Sequence, residues 1–228
     1  MQDLVIYGAG GLGREVLAYL RAADFGVERW NFLGFIDDGK SSGSRVGESK
    51  VLGGMAELVF AAATATNPVA VLMGLADPAA KAALYAKLSL NPRVTFPVLV
   101  HPLAHVEASA ALGAGTVISP YCSVSVDTTL GLCSFFNVGA QIGHDSVLGD
   151  FGSVMPHADI SGNVTIGART LVGAGAKILQ GLSIGADVTI GIGSVVLKDV
   201  PDRCTVMGYP ARVVKKIEEE REREGKGT

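Results

Sequence analysis

Cysteine is scarce in this chain of 228 residues: Cys122, Cys133 and Cys204 are odd in number and lack metal-ligand or redox spacing. That excludes a disulfide framework, and free thiols are expected, Cys122 as a buried filler and the other two in turns. Basic excess is absent as well. With 19 Lys and Arg against 22 Asp and Glu, a net charge of −3 and a pI near 5.8, there is no electrostatic footprint for nucleic acid or anionic lipid. No apolar run approaches the ~20 residues of a membrane span. The first residues enter a strand-like Leu4-Val-Ile-Tyr7 without a signal-peptide pattern. No nucleic-acid partner, no membrane insertion and a cytoplasmic location are therefore the expectations.

What the chain has instead is a period. From Val100, Val106 and Leu112 to Ile184, Ile190 and Val196, every sixth residue is aliphatic or aromatic without a slip. Six fits neither the helical period nor a meander; it is one short strand plus one turn, stacked coil upon coil as a parallel β-helix. Three hexads make a triangular coil, and Gly113, Gly131, Gly149, Gly167 and Gly185 mark the resulting eighteen-residue repeat. Four places after each aliphatic comes a mostly small residue, among them Ala104, Thr116, Cys122, Ser134, Ala140 and Gly152, as a narrow prism requires. Burial of each aliphatic contributes roughly 1.5–3 kcal/mol as an upper bound, so the prism is expected to be rigid.

Before the repeats, Asp3–Tyr7, Gly8-Ala-Gly10-Gly11-Leu-Gly13 and Arg14–Arg21 spell strand, glycine turn and amphipathic helix. This is the context of the dinucleotide fingerprint, in which glycines let the backbone approach a phosphate at a helix N-terminus. A second strand, Asn31–Ile36, ends in Asp37-Asp38, where an acidic group can reach a ribose hydroxyl. A third, Val69–Gly74, precedes a helix from Pro78 to Leu88. Some ninety residues supply only half of a full dinucleotide sheet, so a nucleotide-linked substrate fits better than a redox cofactor. The domain plan is thus a Rossmann-like domain over 1–95, a β-helix over 96–200, and a capping loop with a charged tail over 201–228, helical from Val213 to Glu224.

The four histidines divide by register. His101 and His105 flank Pro102 and are assigned to the domain junction. His144, two places after inward Ile142, stands at an outward corner beside Asp145; one coil further on, its column holds Gly162, which has no side chain to cover the imidazole. An imidazole next to a carboxylate under open backbone suits a general base.

The Gly8–Gly13 turn, Asp37-Asp38, His101-Pro102, Asn137 with Gly143-His144-Asp145, Ser161-Gly162-Asn163 and the closing Val206–Arg212 together resemble the PglD/NeuD-like sugar acetyltransferases over nearly the whole chain. The resemblance implies a left-handed β-helix, although the crossover rule alone points to the opposite hand. It also implies a homotrimer and acetyl-CoA as co-substrate. On this likeness His144 is the base and Asp145 its orienting acid, while Asn137 lies near the sugar. The N–H of Gly162 holds the acetyl carbonyl, and Gly173, Ala174, Gly191 and Ile192 line the pantetheine groove. Gly8, Gly10, Gly11, Gly13, Asp37, Asp38 and Gly74 fall to the nucleotide sugar. Two departures stand out: Leu12 where relatives often carry histidine in the glycine turn, and Ser153 where many have a second histidine, with His157 the candidate substitute. N-acetylation of a nucleotide-linked amino-deoxysugar is the function implied. Its rivals are O-acetylation of sialic acid or another free sugar, a γ-carbonic-anhydrase-like zinc protein, and a non-catalytic trimeric scaffold. No metal is expected.

Overall fold

A computed structural model describes residues 1–216 apart from Phe25, Glu28, Ala65 and Thr66. The N-terminal domain comprises β1 (Gln2–Tyr7), α1 (Gly11–Asp24), β2 (Trp30–Ile36), β3 (Arg45–Val46), β4 (Ser49–Gly53), α2 (Met55–Thr64), β5 (Val69–Met73), α3 (Pro78–Leu88) and β6 (Val94–Thr95). Sheet order is β3-β4-β2-β1-β5-β6, parallel except for the β3–β4 hairpin. The strand order reverses at β1, between β2 and β5, so the turn after β1 and the loop after β5 flank the switch-point crevice. Continuous apolar runs in β1 and β5 follow from helices covering both faces. Asp77 starts α3 by accepting from the Ala80 N–H at 2.7 Å, with Pro78 as its first residue. Strands β3, β4 and β6 and helix α2 lie outside the elements expected from sequence. No helix among the described residues is long and apolar enough to cross a membrane.

From Leu99 onward the chain winds a left-handed parallel β-helix. Its first face stacks Leu99–Val100, Val117–Ile118, Phe135–Phe136, Ser153–Val154, Leu171–Val172 and Thr189–Ile190. The second runs from His105–Val106 to Val195–Val196, and the third from Ala111–Leu112 to Ser183–Ile184. Each strand has two residues and pairs with the strand one coil above and below, as Phe136 does with Ile118 and Val154. The hexad aliphatics fill the prism and the small residues four places on are buried with them.

Past the first two corners, the chain turns between faces with one left-handed residue. At every corner from Gly115 to Gly193 the third residue after the aliphatic has positive φ, among them Asp127, Asp145, Asn163 and Asp187 at 55–60°. The glycines of the eighteen-residue repeat have a different cause. A Cβ on Gly113 lies 2.6 Å from the Gly131 carbonyl carbon, and Gly131 meets the Asp150 amide at 2.5 Å, so successive coils touch there backbone to backbone.

The N-terminal domain covers the first face. Leu99, Val117 and Phe135, which point out of the prism, join Leu4, Val16, Tyr19 and Leu20 in one buried cluster. Cys133 and Phe151, from the adjacent corner, pack with Tyr85 and Phe96, the Tyr85 ring 5.4 Å from Phe151 and 4.8 Å from Phe96. Cys133 and Cys122 are inert thiols, pushed by burial to about 12 and about 11.

Three C-terminal expectations change. Cys204 opens a strand, Cys204–Gly208, and is buried rather than placed in a turn. The prism does not stop near Pro201: Val200 bridges to Ile184 and Val206 pairs with Ile190, two residues short of a full coil, so the repeat is lost in sequence while the stacking persists. In place of a capping loop and helix, Ala211–Lys216 returns antiparallel to Cys204–Gly208; the rest of the expected helix lies outside the described residues.

Truncating Phe135 to Ala removes a fully buried aromatic anchor between the domains without touching the prism interior. Its expected cost is about 3–5 kcal/mol, confined to the N-terminal domain. The one tryptophan, Trp30, reports that domain in denaturant titration. Its midpoint should fall while the far-ultraviolet signal of the β-helix holds, and equal shifts in both signals refute a separable interface.

Candidate functional site

His144 and Asp145 occupy the corner between the second and third faces. The left-handed Asp145 backbone, φ 58°, turns its carboxylate back so that Oδ2 lies 2.7 Å from His144 Nδ1. Both side chains are more than half exposed, 61% and 59%. Asp145 has a backbone reason to be there, since Asp and Asn tolerate the left-handed region that this corner demands. With Nδ1–H donating to the carboxylate, the lone pair of the neutral ring sits on Nε2. That nitrogen lies over Gly162: a Cβ there comes within 2.5 Å of Nε2 and 2.6 Å of Cε1. Gly143 in turn backs onto the Gly162 amide at 2.4 Å from its own virtual Cβ. Any side chain at 162 displaces the imidazole.

The amide of Gly162 has a counterpart at other corners. The second residue after the aliphatic presents its N–H outward, and on the third corner carboxylates fill that place: Asp150 Oδ1 accepts from Leu132 at 2.8 Å and Asp202 Oδ1 from Ala186 at 2.8 Å. Such an N–H therefore takes an anionic oxygen, and at Gly162 it stands beside Nε2 of His144.

The remaining β-helix candidates lie on a different edge. Asn137, His157, Gly173, Ala174, Gly191 and Ile192 all belong to the corner between the first and second faces, across the second face from His144. One chain does not bring the two groups together. Asn137 Oδ1 accepts from the Val138 N–H at 2.7 Å. Gly173 is required by packing, its virtual Cβ 2.6 Å from the Ile190 carbonyl, whereas Ile192 is 83% exposed. His157 is exposed and rests on Gly139, whose virtual Cβ is 2.4 Å from Nδ1. It sits at a different place from Ser153, which faces outward from the first face and is buried under the N-terminal domain.

In the N-terminal domain the glycines separate into two kinds. Gly13, Gly8 and Gly74 exist for packing: a Cβ on Gly13 falls 1.9 Å from the Gly8 carbonyl oxygen, one on Gly8 2.8 Å from the Gly74 oxygen, and one on Gly74 2.6 Å from Gly13 Cα. Gly10 and Gly11 face open space, with nothing within 4 Å. The acidic pair is already bonded. Asp37 accepts from the N–H groups of Ala9 (2.8 Å) and Gly39 (2.9 Å), tying the glycine turn to the end of β2. Asp38 accepts from Tyr7 Oη and, at 2.7 Å, from the Met55 N–H at the start of α2. These two donors hold its carboxyl below the usual range, while burial and the facing carboxylate push the Tyr7 phenol up.

Of the junction histidines only His101 is placed as expected, edge-on to Tyr19 of α1 at 5.6 Å, with burial lowering its pKa. His105 instead lies on the open second face, paired with Glu107 at 2.9 Å. Among the described residues no three His, Cys, Asp or Glu side chains converge to hold a metal. Two features escaped sequence reading. Tyr7 gives no signal beyond its place before Gly8, and Lys81 reads as a solvated helix residue.

Residues 3–88 match the family model of the PglD N-terminal domain. Perosamine N-acetyltransferase from Caulobacter crescentus, solved with CoA and GDP-perosamine, is 26% identical with a TM-score of 0.86, over 95% of this chain and 98% of that one. Structures of that protein carry one histidine replaced by asparagine or by alanine, with both ligands bound. The acetyltransferase domain of PglB from Neisseria gonorrhoeae, in complex with acetyl coenzyme A, is 28% identical with a TM-score of 0.83, over 93% and 99% of the two chains. WeeI from Acinetobacter baumannii is 28% identical with a TM-score of 0.84, over 94% and 100%. No curated protein matches the chain.

The two kinds of glycine make opposite predictions for alanine. Gly13→Ala should cost several kcal/mol or abolish folding, because the new Cβ meets backbone. Gly10→Ala should stay within about 1 kcal/mol of wild type or stabilise slightly. Thermal unfolding of both variants decides; equal destabilisation removes the case for Gly10 as a ligand-facing position.

Proposed function

We propose that this chain, which belongs to the PglD/NeuD-like sugar acetyltransferases, transfers acetyl from acetyl-CoA to the amino group of a nucleotide-linked amino-deoxysugar, with His144 as general base. The carrying observation is the His144 imidazole, held at Nδ1 by Asp145 at 2.7 Å and presenting Nε2 over a residue without a side chain. The amine lone pair attacks the thioester carbonyl as Nε2 takes the N–H proton. The oxyanion that forms is held by the Gly162 N–H; the C–S bond then breaks and the imidazolium returns the proton to the departing thiolate. General-base help of this type is worth ~10²–10⁴ in rate, and one preorganised oxyanion donor about 3 kcal/mol.

The nucleotide part of the acceptor binds at the switch-point crevice, its phosphates against the open backbone of Gly10 and Gly11 at the start of α1. Asp37 and Asp38 shape that site through bonds to the glycine turn and to α2, each carboxylate keeping acceptor capacity for a ribose or base donor. Gly8, Gly13 and Gly74 support it from behind by close packing. The pantetheine arm lies along the Gly173, Ala174, Gly191 and Ile192 corner, with Asn137 and His157 toward the sugar end.

The active enzyme is a homotrimer. Supporting this is that His144 and the corner of Asn137, Gly173 and Gly191 lie on different edges of one chain, so a site that uses both needs a second copy. Val126, Val147, Leu179 and Leu197, exposed at 43–47%, also lie along the edge that carries His144, spread over successive coils. Acetyl-CoA and nucleotide sugars are both drawn from the cytoplasm, which is where this chemistry belongs.

Mass spectrometry of enzyme with acetyl-CoA and a panel of UDP-, GDP- and dTDP-linked amino sugars tests the assignment. One acetyl group, about 42 Da, should be gained by one member of the panel, and His144→Ala should lose ~10²–10⁴ of kcat with CoA affinity unchanged. Gly162→Ala should lose at least about tenfold by displacing the ring. Undiminished kcat in His144→Ala removes the base assignment, and acetylation of free sugars alone replaces the acceptor.

A further inference from the structure

Lys81 is the only charged side chain among the described residues that the fold buries, at 1% exposure. It reaches from α3 into the first face of the prism. Its Nζ donates to the Gly152 carbonyl at 2.7 Å and to Ser153 Oγ at 2.9 Å, and that hydroxyl donates to the Ala76 carbonyl at 2.7 Å. The three bonds close a link from α3 through the prism and back to the β5–α3 loop. That loop is one wall of the switch-point crevice, since Gly74 at its start packs against Gly13 and Gly8.

The link is not explained by stability. Gly152 O also accepts from the Phe135 N–H at 2.9 Å, and a Ser153 hydroxyl freed to rotate can still reach the Ala76 carbonyl, so an apolar side chain at 81 orphans no polar group; what it removes is the Nζ–H donor that fixes the direction of that hydroxyl. Burying an ammonium costs free energy that a methionine of similar volume avoids. Burial indeed pushes the amine down to about 7, against the opposing pull of the Asp77 carboxylate. What a lysine adds over a methionine is direction, because two short bonds from one nitrogen fix both the distance and the angle of α3 on the β-helix.

We propose that Lys81 is a positioning residue that, through Ser153 and the Ala76 carbonyl, holds the Gly74–Asp77 loop in a single register against the β-helix, and with it the acceptor that the crevice presents. The catalytic consequence rests on the acetyltransferase function proposed above; the structural link does not.

Lys81→Met and Ser153→Ala in the full-length protein test both halves. Hydrogen exchange read by mass spectrometry should speed at least about tenfold at residues 74–77 in both variants, with the β-helix unchanged. Lys81→Met should melt at or above the wild-type temperature, and Ser153→Ala below it, because only the latter leaves a buried ammonium short of an acceptor. With acetyl-CoA and the nucleotide sugar, kcat/KM for the sugar should fall about 10- to 100-fold in Lys81→Met while KM for acetyl-CoA stays within about twofold. Wild-type exchange at 74–77 in Lys81→Met overturns the link. A loosened loop with unchanged sugar kinetics overturns the positioning role. If the wild-type protein acetylates no nucleotide sugar, the proposed function fails, and the exchange measurement still decides whether the link exists. Should Lys81→Met not fold, Ser153→Ala carries the same two readouts.

Discussion

Backbone stacking at the β-helix corners is the constraint on which the rest depends. Strands of two residues leave little side-chain surface to hold a coil, so register is set by contacts between turns: the left-handed residue at each corner from Gly115 to Gly193 and the glycine column from Gly113 to Gly185, where a Cβ has no room. His144 over Gly162 is one instance of the same close approach. The fold supplies a bare backbone amide one coil from an imidazole because neighbouring coils are never more than a ladder spacing apart. Asp145 is likewise both a corner residue suited to positive φ and the partner of Nδ1. Chemistry here is obtained by choosing which side chains to place on positions that already exist.

The prism interior was legible because its period is local and long. Which face carries the other domain was also written in the chain, in Leu99, Val117 and Phe135 at eighteen-residue spacing. Each precedes an inward aliphatic, so the outward signal is masked by the stronger inward one. The glycine turn was legible as a turn and ambiguous as a ligand site. Gly8, Gly13 and Gly74 answer to backbone packing and only Gly10 and Gly11 face open space, a distinction that depends on a strand more than sixty residues away. The spacing of Asp37 and Asp38 suggests a ribose, but their first partners are the protein's own N–H groups and Tyr7.

Lys81 and the end of the prism were not legible, for a shared reason. A lysine on an amphipathic helix reads as solvated until another domain covers it. A coil shortened by two residues breaks the hexad while Val200 and Val206 keep their pairing. In both cases tertiary contact overrides a local pattern. The short strands β3 and β4 vanish similarly into a Gly-, Ser- and Lys-rich stretch, and the hairpin of Ala211–Lys216 hides in a charged segment.

A rigid prism divides the geometric problem of a two-substrate reaction. Along its axis, positions come in steps of one coil, about 4.8 Å, so an extended amide arm laid on a corner meets repeating backbone groups and its reactive end falls at a fixed height. Across the axis, nothing in the repeat sets where an acceptor sits. That coordinate depends on how the N-terminal domain docks, through an apolar patch that is tolerant in angle and a lysine–serine link that is not. Apolar burial supplies most of the adhesion, since it is proportional to area and indifferent to direction. Directed bonds from Nζ at 2.7 and 2.9 Å supply the orientation that adhesion alone leaves open. The buried charge is intelligible on those terms, as a cost in stability that sets the angle between two otherwise complete domains.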